Sequence, residues 1–198
     1  RRLFSSNCAS CHLYNGHDGR GFPVDSNQSA PDLAGVASRE WLEELLDYDY
    51  YVSTKYFGGT AFKDGKMATK VLKKFDEKEK ALVPKVASLL SDIAGLPYQK
   101  PLSEKDREEG FDVFFDELGC IDCHDIEDED EGSAPDLTGY GSRDWLTAIV
   151  GDPSHERFYG KDNDRMPSFA RDEKLTDEEI GILVDWLRSK PSTNSEVR

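Results

Sequence analysis

The pentapeptides CASCH, residues 8–12, and CIDCH, residues 120–124, constrain the fold of this chain more than any other stretch. They contain all four cysteines of the 198 residues, and a histidine directly follows each cysteine pair. Three different chemistries use a Cys-x-x-Cys motif in proteins, and the residues around the two motifs have to distinguish them.

The sequence that follows each motif is duplicated. SAPDLAGVASREWLEELL at 29–46 corresponds to SAPDLTGYGSRDWLTAIV at 133–150, and ten of the eighteen positions are identical. Further along, KYFG at 55–58 corresponds to RFYG at 157–160. Because these elements recur in the same order after each cysteine motif, we interpret the chain as a tandem duplication.

Helical patterns dominate both halves. Ser103 followed by Asp106 is typical of a capped helix start, and the apolar residues that follow recur at helical spacing. No segment shows sustained strand alternation, so the predicted class is all-α with long loops. The predicted organisation is a first domain at 1–98, a linker at 99–103, a second domain at 104–190 and a tail at 191–198.

Charge is distributed unequally between the two halves. Residues 1–99 contain 13 basic and 13 acidic residues, whereas residues 100–198 contain 12 basic and 27 acidic residues and therefore the whole net charge of −15. This excess argues against nucleic acid as a partner and favours a protein with a basic docking surface, although solubility alone would also explain it. No apolar run approaches the roughly 18 residues of a membrane span, so we expect no direct insertion.

Only one of the three chemistries agrees with the whole pattern. A thioredoxin-like dithiol expects a βαβ setting, and a four-cysteine zinc site separates its pairs by about 15–20 residues, not by the 108 found here. Cys-x-x-Cys-His is the signature of covalent haem attachment, in which two thiols add to the haem vinyl groups and the histidine faces the iron. We predict two covalent haem c groups, one per domain, attached through Cys8, Cys11, Cys120 and Cys123.

An electron-transfer haem usually has a second axial ligand, and methionine opposite histidine raises its potential. Each half has a single methionine after its aromatic-Gly element, and Met166 is followed by Pro167. Met67 lies in a loop three residues longer and could instead fill the core. His155, eleven residues before Met166, is the rival ligand. The predicted iron ligands are His12, Met67, His124 and Met166.

In this order of motifs the sequence resembles the class I c-type cytochromes twice, over nearly its whole length. The shared elements are the haem motif, the PDL loop, a tryptophan-bearing helix, the methionine loop and a closing helix. The resemblance implies one small helical bundle around each haem. It also implies that a proline carbonyl accepts the Nδ1 proton of each histidine, that leucines pack on the haems and that arginines face the propionates, unless those arginines are only surface charges. These residues are Pro31, Pro135, Leu33, Leu137, Arg39 and Arg143.

The two-domain layout is similar to dihaem carriers of the cytochrome c4 type. The APDLxGxxSRxWL and FYGxxNDRMPSF patterns look closer to dihaem c subunits or domains of bacterial quinol-oxidising bc complexes. The resemblance implies a non-enzymatic electron-transfer protein of a respiratory chain, whose partners are redox proteins, including a membrane bc-type or oxidase complex. Haem c is attached outside the bacterial cytoplasm, so we expect a periplasmic location, either after removal of a signal peptide or as part of a membrane-anchored chain.

Two alternative functions require an open or labile axial site. A dihaem peroxidase would bind hydrogen peroxide there, and a haem-based sensor would bind a small ligand. Either function would be possible if Met67 does not bind the iron.

Two charged runs predict separate docking surfaces for redox partners, although two solvated loops, or attraction between the two domains, would give the same pattern. The acidic run is DIEDEDE at 125–131. The basic run surrounds Met67 and consists of Lys63, Lys66, Lys70, Lys73 and Lys74.

Overall fold

The computed structural model describes residues 1–24, 28–126 and 132–191, and within these ranges every regular element is a helix. The α-helices are α1 (Arg2–Asn7), α2 (Arg39–Leu45), α3 (Tyr48–Tyr51), α4 (Glu77–Ala94), α5 (Glu104–Asp112), α6 (Arg143–Gly151) and α7 (Asp177–Leu187). Single turns of 3₁₀ or π geometry lie at Ala61–Asp64, Met67–Val71, Leu72–Lys74, Val113–Glu117, Cys120–Asp122 and Gly160–Asp162. The predicted all-α class is confirmed, and none of the described helices is both long and apolar enough to cross a bilayer.

The helix starts follow from local sequence. Ser38 and Ser142 precede α2 and α6, and each hydroxyl accepts the backbone N–H of the tryptophan three residues later. The closing helices α4 and α7 begin with reciprocal capping boxes, formed by Asp76 with Glu79 and by Thr176 with Glu179. Such caps satisfy N–H groups that have no partner inside the helix, which is why they mark the same positions in both repeats.

The short first helix packs on α7, the last helix of the described residues. Phe4 in α1 is fully buried, and its ring centroid lies 5.3 Å from that of Trp186 in α7. Tyr14, just after the first motif, stacks on the same indole at 4.3 Å. The amino-terminal segment of the first repeat is therefore held by the closing helix of the second repeat.

The opening helix of the second repeat packs in turn on the closing helix of the first. Gly110 in α5 lies so close to Leu89 in α4 that an added Cβ would be 2.9 Å from the leucine Cβ. Arg107 binds Asp92 at 2.6 Å, which adds an ion pair beside this crossing. Helices α4 and α5, separated only by residues 95–103, thus form a local antiparallel pair.

Two other closely packed pairs of α-helices each lie within one repeat. Helix α2 packs on α4, and α6 packs on α7, so each closing helix joins elements of both repeats. One continuous hydrophobic core results, and its fully buried members come from the whole chain, among them Phe4, Leu42, Leu89, Phe114, Ile180 and Leu183. The domain boundaries at 98 and 104 remain a prediction from the sequence.

Candidate haem-binding sites

The first motif forms a tight turn directly after α1. The N–H groups of Cys11 and His12 both reach the carbonyl of Cys8, at 3.0 and 2.8 Å. The second motif repeats this turn, since the N–H of His124 reaches the carbonyl of Cys120 at 3.0 Å. This geometry sets the two thiols of each motif about one turn apart, and all four cysteines are free of disulfide bonds.

Each motif histidine is oriented by a proline carbonyl. The Nδ1 atom of His12 lies 2.8 Å from the carbonyl oxygen of Pro31, and that of His124 lies 2.8 Å from the carbonyl oxygen of Pro135. A carbonyl can only accept, so Nδ1 carries the proton in both rings and Nε2 presents its lone pair. Burial lowers the pKa of both histidines, although the carbonyl contact opposes it. Both imidazoles are therefore suited to bind iron in their neutral form.

The loop around Pro31 is fixed by the carboxylate that follows it. Asp32 is buried, and its side chain accepts the N–H groups of Asn15, Gly16 and Ala34, each at 2.9 Å. Its backbone carbonyl accepts the indole N–H of Trp41 at 2.8 Å. These bonds hold the Pro31 carbonyl against the histidine ring.

The corresponding carboxylate of the second repeat has a different partner. Asp136 binds the guanidinium of Arg157 at 2.6 Å, although its carbonyl still accepts the indole N–H of Trp145, at 3.0 Å. The Asp136 carboxylate also accepts the N–H of Thr138 at 2.7 Å, as Asp32 accepts that of Ala34, but nothing in the sequence pattern indicates that Asp136 binds an arginine as well.

The Cys8 and Cys120 side chains favour the neutral thiol form. Burial, with a smaller effect of the neighbouring Cys11, raises the pKa of Cys8 to about 12, and burial raises the pKa of Cys120 to about 11. Metal binding and disulfide exchange use thiolates, which such sites disfavour. Addition of an S–H group across a vinyl group gives an uncharged thioether sulfur. Covalent haem attachment is therefore compatible with the burial of these side chains.

A cavity of about 190 Å³ adjoins the first motif, and both repeats line it. The first repeat contributes the two cysteines, the histidine and apolar side chains: Cys8, Cys11, His12, Pro31, Leu33, Phe57 and Phe62. The second repeat contributes the methionine loop and apolar residues of α6 and α7: Val150, Tyr159, Met166, Pro167, Phe169, Leu183 and Leu187. Two thiols, an imidazole with a free Nε2 and a thioether within apolar walls form a donor set that fits haem c.

Asn163 holds the methionine loop and was not identified from the sequence. Its amide donates to the carbonyl of Met166 and to the hydroxyl of Ser154, both at 2.9 Å. The only sequence indication is its place three residues before the methionine, within FYGxxNDRMPSF.

Met67 lies in the π turn Met67–Val71 and is half-buried. It packs on a small cluster formed by Tyr51, Ala68 and Leu72, and it is not among the residues that line the cavity at the first motif. Its role as an iron ligand stays a prediction.

The other predicted contact residues are placed as follows. Leu33 lines the cavity, while Leu137 is half-buried against the main core. Arg143 forms a two-pronged ion pair with Asp185 of α7, and Arg39 donates to the carbonyl of Lys100 at 2.6 Å. Contact of the arginines with propionates stays a prediction. His155 is exposed and accepts the N–H of Arg157 at 3.2 Å in its own loop.

The two charged runs differ in how far the structure describes them. All five lysines around Met67 are exposed, and none of the ion pairs among the described residues includes them. Of the acidic run, residues 127–131 lie outside the described residues, and Asp125 accepts the N–H of Gly132 at 2.7 Å.

A helical chain with two Cys-x-x-Cys-His turns, two proline-bound histidines and a thioether-lined cavity defines a c-type haem protein. A family model described as "Cytochrome c" matches residues 1–84 and 108–191, which is most of the chain. The chain therefore belongs to the cytochrome c family, with two cytochrome c domains in tandem. Such domains bind haem c covalently and generally transfer electrons. Among curated proteins and among solved structures, no match to this chain was found.

Proposed function

We propose that this chain is a dihaem electron carrier, with one haem c on each Cys-x-x-Cys-His motif and no bond-making chemistry of its own. The observation that supports it best is the cavity in which the His12 imidazole and the Met166 thioether share apolar walls. A haem iron supplies reversible one-electron exchange between its ferric and ferrous states.

The residues of the chain would bind the haem, orient its ligands and exclude water from it. The Pro31 carbonyl fixes the His12 ring, and Asn163 fixes the backbone at Met166. Apolar walls such as Leu33 and Leu183 exclude water and so disfavour the more highly charged oxidised state, which raises the potential.

The first test is spectroscopic. A pyridine haemochrome assay should give two haems per chain, and the reduced protein should show only low-spin haem that binds no carbon monoxide. A stable high-spin, carbon monoxide-binding haem would contradict the carrier and support the peroxidase or sensor.

We further propose that the carrier works outside the bacterial cytoplasm in a respiratory chain and accepts electrons from a membrane quinol-oxidising complex. Two partners of opposite charge would suit the chain, because the exposed lysines surround Met67 while the net negative charge lies entirely in the second half.

Two small oxidants of opposite charge test this steering directly. Hexacyanoferrate(III) should oxidise the reduced protein more slowly as salt rises, and Lys66→Gln with Lys70→Gln should lower its rate at low salt. Lys174→Gln, on an exposed loop of the second half, is the matched control and should have less effect. A cationic cobalt(III) chelate should show no loss with the lysine variants. Rates that do not depend on salt for either oxidant would rule out steering.

A further inference from the structure

Side chains of both repeats line the cavity at the first haem motif, as expected if the repeats exchange their methionine loops and closing helices. We propose that Met166, from the second repeat, is the distal iron ligand of the haem that Cys8, Cys11 and His12 of the first repeat bind. The proposal depends on haem attachment to the first motif, which family membership supports, and does not depend on which redox partners the carrier has.

The cavity at the first motif is the direct observation. One part of its wall comes from the first repeat: the motif and the PDL loop, from Cys8 to Leu33, together with Phe57, Thr60 and Phe62. Another part consists of second-repeat side chains, including Val150 of α6, Met166 and Leu183 of α7. Met67 and the helix α4 of the first repeat, which the repeat order alone would assign to this haem, do not line it.

Helix packing around the cavity supports the same assignment. The residues that flank the motif, Phe4 and Tyr14, both pack on Trp186 of α7. Leu183 and Leu187 of the same helix line the cavity. Helix α7 of the second repeat therefore both lines the cavity and packs against the residues that flank the first motif.

The reciprocal arrangement follows from the α4–α5 pair. Helix α5 leads directly into Cys120 and packs on α4, the closing helix of the first repeat. The closing helix of the first repeat therefore lies beside the helix that leads into the second haem motif, as α7 lies beside α1. By the same relation, the methionine loop that belongs to His124 is that of Met67.

The exchange has a defined crossing point between the PDL loop and the following helix in each repeat. Gly35, Ala37, Gly139 and Gly141 all have positive φ there, between 65° and 73°. The two crossings touch, because a Cβ on Gly141 would lie 2.5 Å from the Ala37 Cβ. Left-handed backbone at a non-glycine residue is uncommon, so Ala37 indicates a turn that the surrounding packing imposes.

The decisive experiment uses a variant in which only one of the two motifs can attach haem. In the full chain with Cys120→Ala and Cys123→Ala, only the first motif carries haem, and the oxidised protein should retain the weak long-wavelength band of an iron–methionine bond. Adding Met166→Ala should abolish this band and lower the potential. Adding Met67→Ala in the same background should retain it. The opposite pattern would overturn the proposal.

A second measurement on the dihaem protein decides the question if the single-motif variants do not mature. In the reduced state, each ligating methionine gives a strongly ring-current-shifted methyl NMR signal, and Met166→Leu identifies the one from Met166. Nuclear Overhauser contacts from that methyl to the thioether protons at Cys8 and Cys11 support the proposal. Contacts to those at Cys120 and Cys123 overturn it. A failed electron transfer to redox partners would leave both spectra unchanged, so the two proposals fail separately.

Discussion

Asp18 fixes the loop that follows the first haem motif. Its buried carboxylate accepts the Ser5 hydroxyl at 2.6 Å and the N–H groups of Arg20 and Phe22 at 2.9 and 3.0 Å. Burial alone would raise the pKa of Asp18, but these three donors outweigh it and lower the pKa below its usual value of about 3.9. The carboxylate ties helix α1 to the loop, and thus to one end of the cysteine turn.

Removing that carboxylate should cost stability in a pH-dependent way. A lowered folded-state pKa contributes stability above about pH 4, and this contribution is lost as the pH falls through the folded value. Asp18→Ala should lower the free energy of unfolding by about 2 kcal/mol at pH 6, because two N–H groups lose their acceptor. The difference from the unsubstituted protein should shrink at pH 3.

Urea titrations at the two pH values, followed by far-UV circular dichroism, measure this effect. Asp64→Ala, at an exposed carboxylate in a surface turn, is the matched control and should change little at either pH. An equal loss of stability at pH 6 and pH 3 would contradict the role assigned to the charge of Asp18.

Asn163 should determine how firmly Met166 is held. Its amide makes two hydrogen bonds within the loop, and Asn163→Ala removes both. The two hydrogen bonds together contribute about 1.4 kcal/mol to holding the loop. Without them, added imidazole should bind about tenfold more tightly to the haem that Met166 ligates. Absorption titration with imidazole measures the affinity, and Asp164→Ala at the neighbouring position is the control. An unchanged affinity would show that the loop does not depend on Asn163.

At the scale of the helices, the crossing of α4 and α5 depends on a glycine. A Cβ at Gly110 would lie 2.9 Å from the Cβ of Leu89, which is closer than side chains normally pack. Overpacking costs about 1–3 kcal/mol and outweighs the gain of about 1 kcal/mol that alanine offers over glycine in a helix. Gly110→Ala should therefore destabilise the protein by about 1 kcal/mol.

Gly151, in helix α6, provides the matched comparison. Its added Cβ would meet the Cβ of Ala170 at 3.6 Å, an ordinary contact, so Gly151→Ala should be neutral or stabilising. Urea unfolding of both variants measures the sign of each change. If both substitutions stabilise the protein, the α4–α5 crossing is not close-packed in solution.

The helices themselves could be predicted from the sequence, but their partners could not. Ser38, Asp76 and Thr176 mark helix starts by local hydrogen bonding, so short sequence patterns identify them. The choice of α7 over α4 as the partner of α1 has no such local mark, because both closing helices present similar apolar faces. Only nine residues, 95–103, separate α4 from α5, which favours the local α4–α5 pair, and only the packing reveals that α1 then packs on α7.

The same limit applies to the haem sites at the scale of the whole molecule. The sequence identifies the cysteines and His12 because covalent attachment needs them at fixed spacing. It also identifies Met166 as a ligand candidate, but the spacing is compatible with either motif as its partner. The assignment of Met166 to the first motif depends on how the two similar repeats exchange elements in three dimensions. A sequence pattern within one repeat contains no information about such an exchange.

Arg188 connects the two halves at the ends of both closing helices. From just after α7, its guanidinium donates to the carbonyls of Ala94 and Gly95 at 2.9 Å and also to that of Gly141. It therefore satisfies carbonyl groups at the end of α4, which belongs to the other repeat, and at the crossing point of its own repeat. Because the main hydrophobic core contains helices from both repeats, we expect the molecule to unfold as one cooperative unit.

Arg188→Gln should shift that single transition as a whole. The loss of charge-assisted bonds to partly exposed carbonyls should cost about 1–2 kcal/mol, and the haem on the first motif and the haem on the second should report the same lowered urea midpoint. Soret absorption of the two single-motif variants, compared with far-UV circular dichroism, measures both, and Lys190→Gln at the exposed end is the control. A core shared through α4 and α7 cannot lose one half and keep the other. If each haem instead reports its own midpoint and Arg188→Gln shifts only one of them, the repeats fold independently and the shared core is contradicted.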